Sequence, residues 1–313
     1  MADSNTAAAH SAAVPGVAGT MVSMVYLKLV FVAMFWGGTF IAGRIVAQAV
    51  PHMIAAAGRF AVACALLLPL AYRLEGGLPR LNRSQLLATF ALGATGIFLY
   101  NLCFFAALSR MPAGRTALFV ALNPIVTALA LALLFRERLA ARKWAGIALA
   151  FVGAAIIITR GDAIGALHDI SQSFGLGELL MFCAISGWAA YTIIGRHALK
   201  GLSPIAATTY ASLWGLLLLG CGAVFELPTL DTSRFTWEVI ASIVYLGAFG
   251  TVVGFIWYYE GVKTIGPART AVFNNLVPVF GITMGAVLLH EPILISMVVG
   301  GVLVIAGVTV TNR

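Results

Sequence analysis

Two stretches pair carboxamides with proline: GRTALFVALNP sets Asn123 beside Pro124, and ARTAVFNNLVP sets Asn274 and Asn275 ahead of Pro278. A carboxamide both donates and accepts hydrogen bonds, which suits it to a small polar solute. A proline within a helix removes one backbone bond and crowds the carbonyl four residues back. Val120 and Asn274 are therefore expected to keep partly free carbonyls, with Pro124 and Pro278 as hinges. Pro124 lies nine residues past Arg115, roughly 13 Å along a helix and so near the middle of a hydrocarbon layer about 30 Å thick.

Polar and aromatic groups recur in other apolar runs: Trp36 and Thr39; Tyr100, Asn101 and Phe104; Trp188, Tyr191 and Thr192; Trp257, Tyr258 and Tyr259. They are candidate cavity walls, although Trp and Tyr also gather at membrane interfaces, and Tyr258 and Tyr259 near a run's end fit that role. Arg59 is the one deep cation, either satisfied by freed carbonyls or part of a site. Glu178 and Glu260 fall near helix ends, and Arg44 and Arg196 are placed to snorkel. No Asp or Glu sits mid-run, so a buried acid is not expected to carry protons. Glu137 and Glu291 precede further apolar runs, where an anion meets the positive end of the next helix. With Arg59, Arg115 and Arg269 they form the expected structural charges.

The elements that position these groups are membrane helices. The chain is 61% hydrophobic and only 10% charged, far from the composition of soluble domains. Apolar runs long enough to span a bilayer cover 27–48, 53–72, 85–108, 116–135, 144–159, 177–195, 205–225, 237–261, 270–289 and 293–310. Residue n also matches residue n+154 without a gap: Gly96, Arg115, Thr116, Phe119, Pro124, Glu137, Gly146 and Gly153 fall on Gly250, Arg269, Thr270, Phe273, Pro278, Glu291, Gly300 and Gly307. A weaker match at n+152 sets Trp36, Gly43 and Arg44 on Trp188, Gly195 and Arg196. Five spans per copy is an odd number, so the second copy enters from the opposite face and the repeat is inverted.

The expected organisation is a disordered cytoplasmic tail (1–24), a first five-helix repeat (25–160), a connecting loop (161–176) and a second repeat (177–313). Most Lys and Arg, including Lys28, Arg73, Arg80, Arg83, Arg142, Lys143 and Lys263, fall on the amino-terminal side, which places both termini in the cytoplasm. The net charge of +8 thus reflects loop anchors, and no nucleic-acid partner is expected. The glycines Gly146, Gly153, Gly300 and Gly307 recur every seven residues, marking the fifth and tenth spans as packing or homodimer elements.

An embedded enzyme would need an activated nucleophile or a metal set. There is no HExxH, no GxSxG and no carboxylate pair in the spans, and Cys64, Cys103, Cys183 and Cys221 form no CxxC. They are expected as small core residues, and no metal or cofactor is expected. A channel filter repeated around a pore fits two inverted halves poorly.

The five-plus-five layout, the runs PAGRTALFVALNPIV and GPARTAVFNNLVPVF, the glutamates in FRERL and LHEPI, and Arg59 resemble the drug/metabolite transporter superfamily, specifically its EamA-type ten-span exporters. The resemblance covers residues from about Leu27 to the end. It implies an alternating-access carrier of the cytoplasmic membrane, with its cavity between helices 1, 3, 4, 6, 8 and 9 and helices 5 and 10 peripheral, and export of amino acids or related metabolites. Sugar-phosphate carriers need several basic residues aimed at phosphate. Here only Arg59 is deep, so neutral or zwitterionic amphipathic solutes fit better; import or exchange of another small metabolite is the alternative.

Overall fold

The protein is an all-α membrane protein of ten helical spans in two inverted five-helix repeats. The computed structural model describes residues 15–135, 140–159, 175–198, 201–265 and 273–312. Helices are the expected outcome for such a chain, because lipid offers the backbone no hydrogen-bond partners.

The first span is Pro15–Ala49 and the second His52–Glu75. The first helix starts before the expected tail boundary, so residues 15–24 extend it; residues 1–14 and most of the connecting loop lie outside the described residues. Gly76 closes the second span at φ 72°, a conformation that glycine adopts without penalty. Asn82 opens the third span, accepting from the Gln85 amide at 2.9 Å while Gln85 accepts from the Asn82 amide at 3.0 Å, a reciprocal cap. The third span runs through Arg83–Leu92, Gly93–Leu99 and Tyr100–Leu108, its middle piece wound as a π-helix.

The fourth span is Ala113–Val120 followed by Asn123–Phe135, and the fifth is Ala141–Ile158. The sixth is Leu176–Ala198 and the seventh Pro204–Glu226. The eighth repeats the pattern of the third, with Trp237–Gly247 and Gly254–Ile265 flanking a π-helical Ala248–Val253. The ninth opens as a 3-10 turn, Phe273–Leu276, and continues as Val277–Leu288; the tenth is Ile295–Asn312.

The inverted symmetry is visible in the packing. A Cβ on Gly93 would stand 2.6 Å from the Trp214 Cβ and 2.9 Å from the Ala211 carbonyl oxygen; one on Gly247 would stand 2.6 Å from the Val62 Cβ and 2.8 Å from the Arg59 carbonyl oxygen. The seventh span therefore crosses the third as the second crosses the eighth. Phe60, Phe104, Phe105 and Leu108 fill the core between them.

The fifth and tenth spans lie along each other. A Cβ on Gly153 or Gly300 would come within 2.6 Å of the other's carbonyl oxygen, and one on Gly307 within 2.5 Å of the Gly146 oxygen. The glycine seam is thus filled within the chain. Cys64 and Cys103 are buried, but Cys183 and Cys221 are exposed on the outer surface instead of lying in the core.

Candidate functional site

The breaks in the fourth and ninth spans are deeper than kinks. In the fourth, the amides of Ala121 and Leu122 bond three residues back, to Leu118 at 3.2 Å and Phe119 at 3.0 Å, before a new helix begins at Asn123. In the ninth, Pro278 is the second residue of the helix that follows the 3-10 turn. A helix's first turn needs no intrahelical N–H, so proline fits there without loss. Each proline thus starts a helix where the sequence suggested a bend in one. The Pro124 side chain lies outside the described residues.

These breaks open onto a cavity of about 100 Å³ between the two halves, well above the roughly 10–15 Å³ that one water needs. Trp36, Thr39, Tyr100, Phe104, Asn123, Trp188, Asn274 and Asn275 line it, as do Phe40, Arg59, Val120, Ala121, Gly250, Phe255 and Val277. Sequence reasoning missed Phe40, Gly250 and Phe255, whose positions only the crossing of spans reveals.

The rings form a connected wall. Tyr100 stacks on Phe104 at 5.7 Å and tilts on Trp188 at 5.4 Å; Trp188 stacks on Phe255 at 6.0 Å, which meets Trp36 edge-on at 5.9 Å. The Trp36 indole N–H donates to the Gly250 carbonyl at 3.1 Å, so its ring orientation is set by the π-helical segment of the eighth span. Asn123 Oδ1 is buried with no partner among the described residues.

Three of the sequence candidates stand outside this cavity. Tyr191 stacks beneath Trp188 at 5.2 Å, Trp257 packs on Phe35 at 6.0 Å under the Lys28 ammonium, and Asn101 is buried behind the wall at 2% exposure. Tyr258, read as an interface residue, packs its ring on Trp36 at 5.3 Å instead, because the first span runs close alongside the eighth.

Arg59 is 7% exposed. Its Nη1 donates to Asn101 Oδ1 at 3.0 Å and its Nε to Thr251 Oγ1 at 3.2 Å. Side chains therefore hold it, where one of the two sequence readings assigned that task to freed carbonyls. Asn101 in turn donates to the Ile97 carbonyl at 2.8 Å and Thr251 to the Leu246 carbonyl at 3.0 Å. Both holders depend on a π-helical turn, a feature often found at functional sites; glycines at 93, 96, 247 and 250 were its only trace in the sequence.

Ion pairs join the halves at both ends. At one end Lys28 meets Glu260 at 2.7 Å. At the other, Arg115 meets Glu178 at 2.8 Å and Arg44 meets Glu291 at 3.3 Å. Arg44 also donates to the Leu108 carbonyl at 2.8 Å and to that of Met111. It does not snorkel, because these helix-end carbonyls and the carboxylate lie within its reach. Glu291 accepts from the amides of Ala113 at 2.8 Å and Gly114 at 3.0 Å. It therefore caps the fourth span and not the tenth, since the backbone turns at His290 (φ 54°) and carries the carboxylate across to the other half. Glu137 and Arg269 lie outside the described residues.

A second cavity, of about 290 Å³, lies between the second, seventh and eighth spans toward the Lys28 end, with Glu75, Ser203, Thr208, Phe255 and Glu260 among its walls. Phe255 is shared by both cavities. Among the described residues no group of His, Cys, Asp and Glu could hold a metal ion.

The model of the EamA-like transporter family matches residues 23–159 and again 175–313. The uncharacterized transporter YyaM of Bacillus subtilis is 31% identical over 91% of this chain and 92% of its own. A "Probable amino-acid metabolite efflux pump" of Salmonella typhimurium is 27% identical over 88% of this chain and 90% of its own. A "Probable terminal-alkyne amino-acid exporter" of Streptantibioticus cattleyicolor is 28% identical over 75% and 76%. A solved crystal structure shares the fold, with a TM-score of 0.64 at 19% identity over 92% of this chain and 97% of that one.

Proposed function

This chain belongs to the EamA-like transporter family, and from that premise we infer that it is a secondary carrier exporting amino acids or related amphipathic metabolites by alternating access. One observation carries the reading. The cavity lies between the two halves, its carboxamides come from the breaks in the fourth and ninth spans, and aromatic rings form much of the rest of its wall. Such a wall receives an apolar side chain while carboxamides hold a polar head. Paired discontinuous helices at a repeat interface are where carriers bind substrate near mid-membrane, and two relatives bear amino-acid export names.

The halves rock about this site, exchanging the Lys28–Glu260 closure for the Arg44–Glu291 and Arg115–Glu178 closures. The excess of Lys and Arg at the Lys28 end supports cytoplasmic termini in the cell membrane. A homodimer through the fifth and tenth spans would meet on their outer faces, where Phe151, Val152 and Val302 are exposed.

Counterflow of phenylalanine and leucine into proteoliposomes tests the carrier. Asn123→Ala and Asn275→Ala are each expected to lower the rate at least about tenfold, one lost hydrogen bond to a charged group being worth that much. Wild-type rates in both folded variants would overturn this assignment of the site.

A further inference from the structure

We propose that Arg59 is the docking point for a substrate carboxylate, so that the solute is an organic acid or amino acid whose apolar part rests among the cavity's rings. This rests on the carrier reading above and narrows its substrate class.

The cavity holds a cation without an anion. Among the described residues no carboxylate lines it, and those at the span ends nearby are already engaged: Glu178 by Arg115, Glu260 by Lys28, Glu291 by Arg44 and two amides, and Glu226 by the amides of Met53 and Ile54 at 2.8 and 3.1 Å. Buried charges are normally paired, and in a low-dielectric site the missing partner is strongly favoured. Arg59 is also pre-oriented: Asn101 and Thr251 take Nη1 and Nε, leaving Nη2 without a partner among the described residues. It lies on the Gly250 side, where an added Cβ would stand 3.8 Å from it. Guanidinium N–H groups suit a carboxylate, and a charge-assisted bond is about twice as strong as a neutral one.

The inverted repeat shows that packing alone does not require this charge. The crossing that sets Arg59 against Gly247 is repeated by Ala211 against Gly93. At the same offsets, Asn101 corresponds to Phe255 and Thr251 to Ile97. One of the two symmetry-related crossings thus closes with alanine, phenylalanine and isoleucine where the other carries arginine, asparagine and threonine. A purely architectural role would be served by the apolar set, which is cheaper to bury.

The test uses the purified full chain in detergent and reads binding from thermal stabilisation, with matched pairs: 3-phenylpropionate and 3-phenylpropionamide, 4-methylpentanoate and its amide, phenylalanine and phenylalaninamide. At least one acid is expected to bind about 10- to 100-fold more tightly than its amide. Arg59→Gln should abolish that preference, and Arg59→Lys, which keeps the charge but loses the fork, should retain part of it. Equal binding of acid and amide in every pair, or no binding of any acid, overturns the proposal, and this wild-type comparison stands even if Arg59→Gln fails to fold. Counterflow of an uncharged solute with no acid binding would sink the carboxylate site while leaving the carrier intact; absence of all counterflow would remove the carrier reading itself.

Discussion

Asn123 keeps a buried, unpartnered carbonyl oxygen beside the cavity, a state that costs about 1–3 kcal/mol unless a ligand or water supplies the missing donor. Asn123→Ala is therefore expected to leave thermal stability unchanged or slightly raised while transport falls, a split that separates a ligand contact from a structural one. Arg115 and Glu178 show the opposite economy, being buried and 2.8 Å apart. Arg115→Gln leaves the carboxylate buried without its cation and should destabilise the protein by about 3–5 kcal/mol. The double variant Arg115→Met with Glu178→Leu should recover most of that loss in thermal unfolding, because neither charge then needs a partner.

Four of the spans that line the site depart from a regular helix. The third and eighth spans carry π-helical turns at corresponding positions, and the fourth and ninth are each broken ahead of a proline. Because Pro278 occupies a helix's first turn, Pro278→Ala is expected to change stability by less than about 1 kcal/mol. A mid-helix proline would instead give a gain near 3 kcal/mol on replacement. The fifth and tenth spans depend on close approach. Gly153→Ala puts a methyl where the Gly300 carbonyl oxygen is only 2.6 Å away, and the overpacking should cost about 1–3 kcal/mol, read as a lowered midpoint with the transport site intact.

For the whole molecule, the proposed carrier cycle makes the balance between the two ends decide which side of the cavity is accessible. Glu291 ties Arg44 and the start of the fourth span across the halves, so Glu291→Gln should favour opening of the Arg44 end. With the native cysteines replaced by serine, a cysteine at Ala121 on the cavity wall should react with an impermeant maleimide from outside intact cells about 5- to 10-fold faster in that variant, a shift of roughly 1–1.4 kcal/mol. Unchanged labelling would show that Glu291 caps a helix without holding the closure.

Span number, the inverted repeat, the prolines and most of the cavity's rings and amides were legible in the chain itself, because hydropathy and repetition are properties of neighbouring residues and of one fixed offset. Trp36, Asn123, Trp188 and Asn275 could be picked out because polar or aromatic groups are conspicuous in an apolar run. Tertiary structure alone decided which of them face one another. Arg59 meets Thr251 across 192 positions, Lys28 meets Glu260 across 232, and Glu291 caps a helix begun 178 residues earlier. Trp257 and Asn101 left the candidate wall for the same reason. Helical periodicity says which residues share a face, but which face meets which neighbour depends on how two five-helix units cross, and that is set by long-range packing at glycines and ion pairs that no local pattern encodes.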